Sequence, residues 1–163
     1  MLKKSLLASA LIAMTMVSIA PIANAEPRMS TRQLQQKERQ DQANKAIAVA
    51  FFTQAFIEQK PREAFNRYIN PNKYIQHNPN VGDGRDTALP MIESFQNPAN
   101  KTTIHKVLAD GDLVMIHYKL EMPNGMKMAI MDMFRLENGL IVEHWDLMQV
   151  FPESTPNNPH PFF

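Results

Sequence analysis

Hydrophobic and polar positions change rhythm several times along this chain. An apolar run from Leu6 to Ala20 is followed, after Pro21, by a stretch from Ser30 to Lys45 that is polar on every side. That stretch reads as a solvated helical lead-in or a flexible arm, because no face of it offers an apolar stripe to a core. From Ala46 to Ile57, Ile47, Ala50, Phe51, Ala55 and Phe56 recur at three- and four-residue steps and predict an amphipathic helix. Pro61 opens a second helix, through Ile69, where its missing N–H costs nothing. Asn70-Pro71-Asn72 ends it. A short strand is expected over Tyr74 to His77, and a third helix, capped by Asp86, through Phe95.

Beyond residue 100 the period falls to two. Asp110-Gly111, Asn124-Gly125 and Asn138-Gly139 recur every 14 residues between β-prone segments, which predicts a meander of four antiparallel strands. Helices followed by a meander give an α+β domain with its helices on one face of a curved sheet. Alternation assigns Val114, Ile116, Tyr118 and Leu120 to the covered side of the second meander strand. It assigns Met128, Ile130, Asp132, Phe134 and Leu136 to that side of the third, and Val142, His144, Asp146 and Met148 to that side of the fourth. Three-residue loops at Pro123-Asn124-Gly125 and Glu137-Asn138-Gly139 would set Asp132 opposite Ile116 and His144, and Ile130 opposite Asp146. Two-residue Asn-Gly turns would instead set Asp132 opposite Trp145.

Composition narrows the classes. Lys3 and Lys4, the apolar run and Ala23-Asn24-Ala25 form the three parts of a secretory leader, with cleavage expected after Ala25 and a periplasmic or secreted destination. No second apolar stretch of spanning length follows, so membrane insertion is not expected. Residues 26–45 are then the lead-in, 46–151 one domain and 152–163 a Pro- and Asn-rich tail that either folds back or stays free. The chain has no cysteine, which excludes disulfides and thiolate sites. The leader carries two of the 17 Lys and Arg and none of the 16 acids, so the remainder has 15 basic against 16 acidic residues. That balance gives no reason to expect nucleic acid as a partner.

The chemistry sits on the covered face. Buried carboxylates are costly unless paired, hydrogen-bonded or neutral, which singles out Asp132 and Asp146 beside His144. His77 and Asn78 are placed at the mouth of the pocket, with Tyr118 and Phe134 lining it. Met122, Met126, Met128, Met131 and Met133 crowd one hairpin, but alternation splits them between faces, which favours packing over a copper site. The histidines lack zinc spacing, and no metal is expected.

Tyr74-Ile75-Gln76-His77-Asn78-Pro79, Ala109-Asp110-Gly111-Asp112-Leu113-Val114, Asp132-Met133-Phe134-Arg135 and Glu143-His144-Trp145-Asp146 together resemble the SnoaL-like polyketide cyclase family. That family lies in the superfamily shaped like nuclear transport factor 2. The resemblance, over about Ala46 to Phe151, implies a cone of helices over a strongly curved antiparallel sheet enclosing a cavity, and a homodimer. It implies cofactor-free aldol cyclisation or isomerase-type proton transfer on a small, mostly apolar carbonyl compound. Asp146 matches the cyclase acid/base, and Asp132 matches an oxyanion-hole aspartic acid of the related ketosteroid isomerases. The isomerase base and its tyrosine are replaced by Asn78 and Phe52, which argues against steroid isomerisation. The rival expectations are a non-catalytic binding protein and a dimeric assembly module with the same fold.

Overall fold

The computed structural model describes residues 28–152, 154 and 156–163; the expected leader lies outside them. Helix α1 spans Thr31–Phe52 and runs into one π-helical turn, Thr53–Ile57. The polar lead-in and the amphipathic segment are therefore one helix. Its first half is rich in strong helix formers, and it has its own anchor: Asn44, 3% exposed, donates to the Gly111 carbonyl (2.8 Å), and the Gly111 N–H donates to Asp41 (2.7 Å). A polar face is thus fixed by the Asp110-Gly111 turn rather than by apolar burial.

Helix α2 (Pro61–Tyr68) and helix α3 (Arg85–Ser94) follow, with strand β1 (Ile75–Gln76) between them. The cap of α3 is Gly84, at φ 98°, and not Asp86, which lies in the first turn. Strands β2 (Lys101–Asp110), β3 (Leu113–Glu121), β4 (Lys127–Glu137) and β5 (Leu140–Val150) form the antiparallel meander. The sheet is curved, not closed, and ordered β1-β5-β4-β3-β2. It is mixed rather than purely antiparallel, because β1 pairs parallel to β5. Two residues are too few to show an alternation, so the direction of this edge strand was invisible in the sequence.

The core lies between the helices and the inner face of the sheet. Phe51 meets Phe65 and Phe134, both at 5.5 Å between ring centroids, while its neighbour Phe52 meets Tyr118 at 4.6 Å. Consecutive aromatics buried against different partners explain why the apolar stripe of α1 is wide.

The two hairpins close differently. Pro123-Asn124-Gly125 is the expected three-residue loop, with Gly125 at φ 84° and Met122 and Met126 paired by a 2.8 Å hydrogen bond. Asn138-Gly139 is a two-residue turn with both residues at positive φ (51° and 80°), so Glu137 faces Leu140. A bulge follows: Leu136 pairs with Ile141 but Arg135 with Glu143, leaving Val142 as the extra residue. Asp132 therefore faces Asp146, and Phe134 faces His144, two residues from the three-residue-loop register. Turn and bulge together shift the pairing by an even number, which keeps Asp132, His144 and Asp146 on one face.

Candidate functional site

Three rows of side chains cross the inner face: Val114, Phe134 and His144; Ile116, Asp132 and Asp146; Tyr118, Ile130 and Met148. Gln76 extends the first row from β1. The central row ends in two carboxylates side by side, with an imidazole in the next row. Ligating atoms of Asp132, His144 and Asp146 all lie within 4.8 Å of one another, and these are the side chains that would jointly hold a metal ion.

Each of the three is oriented by a neighbour outside the trio. His144 stacks on Phe134 (5.1 Å, 27°), with its Nδ1 2.9 Å from Gln76 Oε1 and its Nε2 3.7 Å from Asp132 Oδ1. Asp132, 3% exposed, has the buried Tyr118 hydroxyl as its neighbour on the facing strand. Asp146 is half-buried and accepts from Asn78 Nδ2 at 2.6 Å. The Asn78 oxygen is occupied by the Asn80 N–H at 2.9 Å, which leaves the amide nitrogen to face the carboxylate.

Burial pushes the Asp132 carboxyl above its ordinary value, an effect that His144 opposes and the Asp146 charge reinforces. The Tyr118 and Tyr74 hydroxyls are pushed up as well, by burial first and by the Asp132 charge second. The site thus combines a buried acid that favours its neutral form, two tyrosine donors and a second carboxylate nearer solvent. Such a set can withdraw a proton from carbon at one end and donate a hydrogen bond to the resulting oxyanion at the other.

Of the sequence-derived candidates, the structure brings together Asp132, His144, Asp146, Asn78, Tyr118 and Phe134. His77 is not among them. Its Nε2 lies 2.8 Å from Glu143, and its ring stacks on Trp145 at 4.6 Å and 3°. The physical reason is alternation: Gln76 and Asn78 turn inward, so the residue between them turns outward. Gln76 is the residue the sequence reading missed, and the same alternation, applied to Gln76-His77-Asn78, would have found it.

The outer face carries a separate ionic network. Glu143 accepts from Arg135 (2.6 Å) as well as meeting His77, and Glu137 accepts from Lys73 (2.7 Å) and Arg135. Near the other edge, Phe163 stacks on His105 (3.9 Å) and His117 (4.7 Å), so the tail folds back over the outer side of the sheet. No helix among the described residues is long and apolar enough to cross a membrane.

The SnoaL-like domain family matches residues 48–144, more than half of the chain. Among solved structures, the chain is similar to a protein of unknown function from Mesorhizobium loti shaped like nuclear transport factor 2 (TM-score 0.59, 18% identity, covering 68% of this chain and 93% of that one). It is also similar to a candidate polyketide cyclase from Acidithiobacillus ferrooxidans (0.54, 19%, 65% and 87%). A candidate ketosteroid isomerase from Kribbella flavida is a third (0.57, 17%, 74% and 85%). At these identities the likeness is one of fold. No functionally curated protein matches. The matched segment contains β1, α3, strands β2 to β4, the start of β5 and the inner-face Asp132 and His144, and on that match the chain belongs to the SnoaL-like domain family.

Proposed function

We propose that this is an exported SnoaL-like protein that binds a small, mostly apolar carbonyl compound at the inner-face cluster and catalyses aldol or isomerase-type proton transfer without a cofactor. The observation that carries the reading is the convergence of Asp132, His144 and Asp146 on one covered face, each held by a separate neighbour. Asp146, oriented by Asn78 and nearer solvent, takes the proton from the carbon next to the carbonyl. Asp132, favoured in its neutral form by burial, donates with Tyr118 to the developing enolate oxygen. His144 sets the orientation and proton affinity of Asp132. The polyketide cyclase and ketosteroid isomerase names among the structural relatives support this reaction class.

The test is exchange of α-hydrogen for deuterium in a panel of cyclic and open-chain ketones and β-keto esters in D2O, read by mass spectrometry. Exchange above the buffer rate is expected, falling by about 10²–10⁴-fold in Asp146→Asn. Exchange that survives Asp146→Asn removes that residue from the role.

A second reading, a dimeric module, has one observation behind it. Leu147 (77% exposed) and Met131 lie exposed and adjacent on the outer face. Sedimentation that returns a monomer at micromolar concentration would dispose of it.

A further inference from the structure

Donors that have no choice fix the protons around His144. A main-chain N–H only donates. That of Asn78 lies 3.1 Å from one terminal atom of the Gln76 amide, so that atom is the oxygen, Oε1. The same oxygen lies 2.9 Å from His144 Nδ1. An amide oxygen cannot donate, so the hydrogen of this contact is on Nδ1. The Gln76 amide nitrogen is left to the Tyr74 hydroxyl at 3.5 Å, which holds the amide from its other end.

The far side of the ring then follows. With Nδ1 protonated, a neutral His144 points a bare Nε2 at Asp132 Oδ1, 3.7 Å away in a place where both side chains are buried. At that separation the two groups face each other without a direct hydrogen bond, so the Nδ1 contact with Gln76 is what fixes the ring.

We infer that Gln76 is a positioning residue that locks His144 in its Nδ1–H tautomer, so that Nε2 is the nitrogen turned to Asp132. This deepens the proposed acid/base reading of the cluster, and it extends the device along the edge segment from β1 to Asn78. Gln76 sets the ring and Asn78 sets Asp146, two inward side chains at alternate positions of one edge. The proposed base and the buried imidazole are thereby each held by an uncharged amide side chain.

The test needs no substrate, so its failure is distinct from failure of the proposed chemistry. In protein labelled with ¹⁵N-histidine, long-range proton–nitrogen correlation identifies which ring nitrogen carries hydrogen, with His144 assigned by elimination using variants of the other four histidines. Near neutral pH, wild-type His144 should give the pure Nδ1–H pattern. Gln76→Leu should lose that pattern, giving the Nε2–H form or a mixture. Gln76→Glu, whose carboxylate accepts from Nδ1, should restore it. A bare Nδ1 in the wild type overturns the inference, as does a folded Gln76→Leu that keeps pure Nδ1–H. Should Gln76→Leu fail to fold, the wild-type and Gln76→Glu patterns decide alone. A merely structural role for Gln76 would change stability and leave the tautomer where it is.

Discussion

Carboxylates on the two faces of this sheet, in some cases one residue away from switching sides, meet opposite fates. On the outer face each is given a cation: Glu143 has Arg135, with the His77 ring beside it, Glu137 has Lys73 and Arg135, and Glu121 has Lys119 and Lys127. All three are held below the ordinary range. On the inner face Asp132 has a tyrosine hydroxyl, an imidazole and another carboxyl for company, and it is pushed above that range. The family motifs straddle this divide. Asp132 and Phe134 point in while Arg135 points out; His144 and Asp146 point in while Glu143 and Trp145 point out. Each short motif therefore supplies residues of the inner-face cluster and also part of the ionic framework behind it. Stability and chemistry can be separated by face, and that separation is open to direct attack.

The largest expected difference is in packing. Phe51, 1% exposed and in contact with Phe65 and Phe134, anchors the covered side. Phe51→Ala should cost about 3–5 kcal/mol in urea unfolding. Leu147→Ala on the outer face should stay within about 0.5 kcal/mol. Comparable losses at the two sites would mean that the outer face is covered in solution and that the contrast has been misdrawn.

Next in size is a pair of pH profiles of opposite sign. A carboxyl whose folded pKa is raised contributes stability that is full below its unfolded value, here 3.8, and is lost as pH climbs through the folded value. Asp132→Asn, which mimics the neutral acid, should therefore gain on the wild type as pH rises through that window, by at most about 1.4 kcal/mol per pH unit. Glu143, whose pKa is lowered by His77 and then Arg135, works the other way. Its contribution is present above 4.5 and is lost as pH falls, so Glu143→Gln should gain on the wild type toward acid. Parallel slopes in the two urea series would break the comparison.

How much of this was legible follows from the periods involved. The α1 core segment, α2, α3 and the meander announce themselves through steps of three and four or of two, and alternation was enough to put Asp132, His144 and Asp146 on one face. Register was not legible, because the bulge at Val142 leaves only a faint trace, two consecutive buried aliphatics, Ile141 and Val142, where alternation asks for one. The anchoring of α1 was hidden for a different reason. Asn44 is a buried polar residue in a polar run, and its partner is a main-chain carbonyl 67 positions away. Nothing local distinguishes it from its solvated neighbours. For His77 the signal is present in the sequence: alternation through Gln76, His77 and Asn78 turns its side chain outward, to Glu143 and Trp145.

The smallest expected effect concerns the one place where the outer face behaves like an interior. His117 falls on the side that Lys119 marks as solvent-facing, yet it is only 5% exposed, with Phe163 stacked on it and Phe162 beside it in the groove lined by Met131 and Leu147. Desolvation lowers its pKa from 6.5, and the charges of Lys106 and His105 add to the effect. A histidine with a depressed folded pKa contributes stability above 6.5 that is lost as pH falls, so docking of the tail should weaken toward acid. If the terminal ring supplies the burial, Phe163→Ala should move the His117 titration back toward 6.5 in a proton–nitrogen NMR series, by less than a unit. The cost in global stability should be under about 1 kcal/mol. An unchanged titration would place the cause in the sheet itself, and the outer face would then have to be counted as a second, shallower apolar surface rather than as an ionic one patched by the chain's own end.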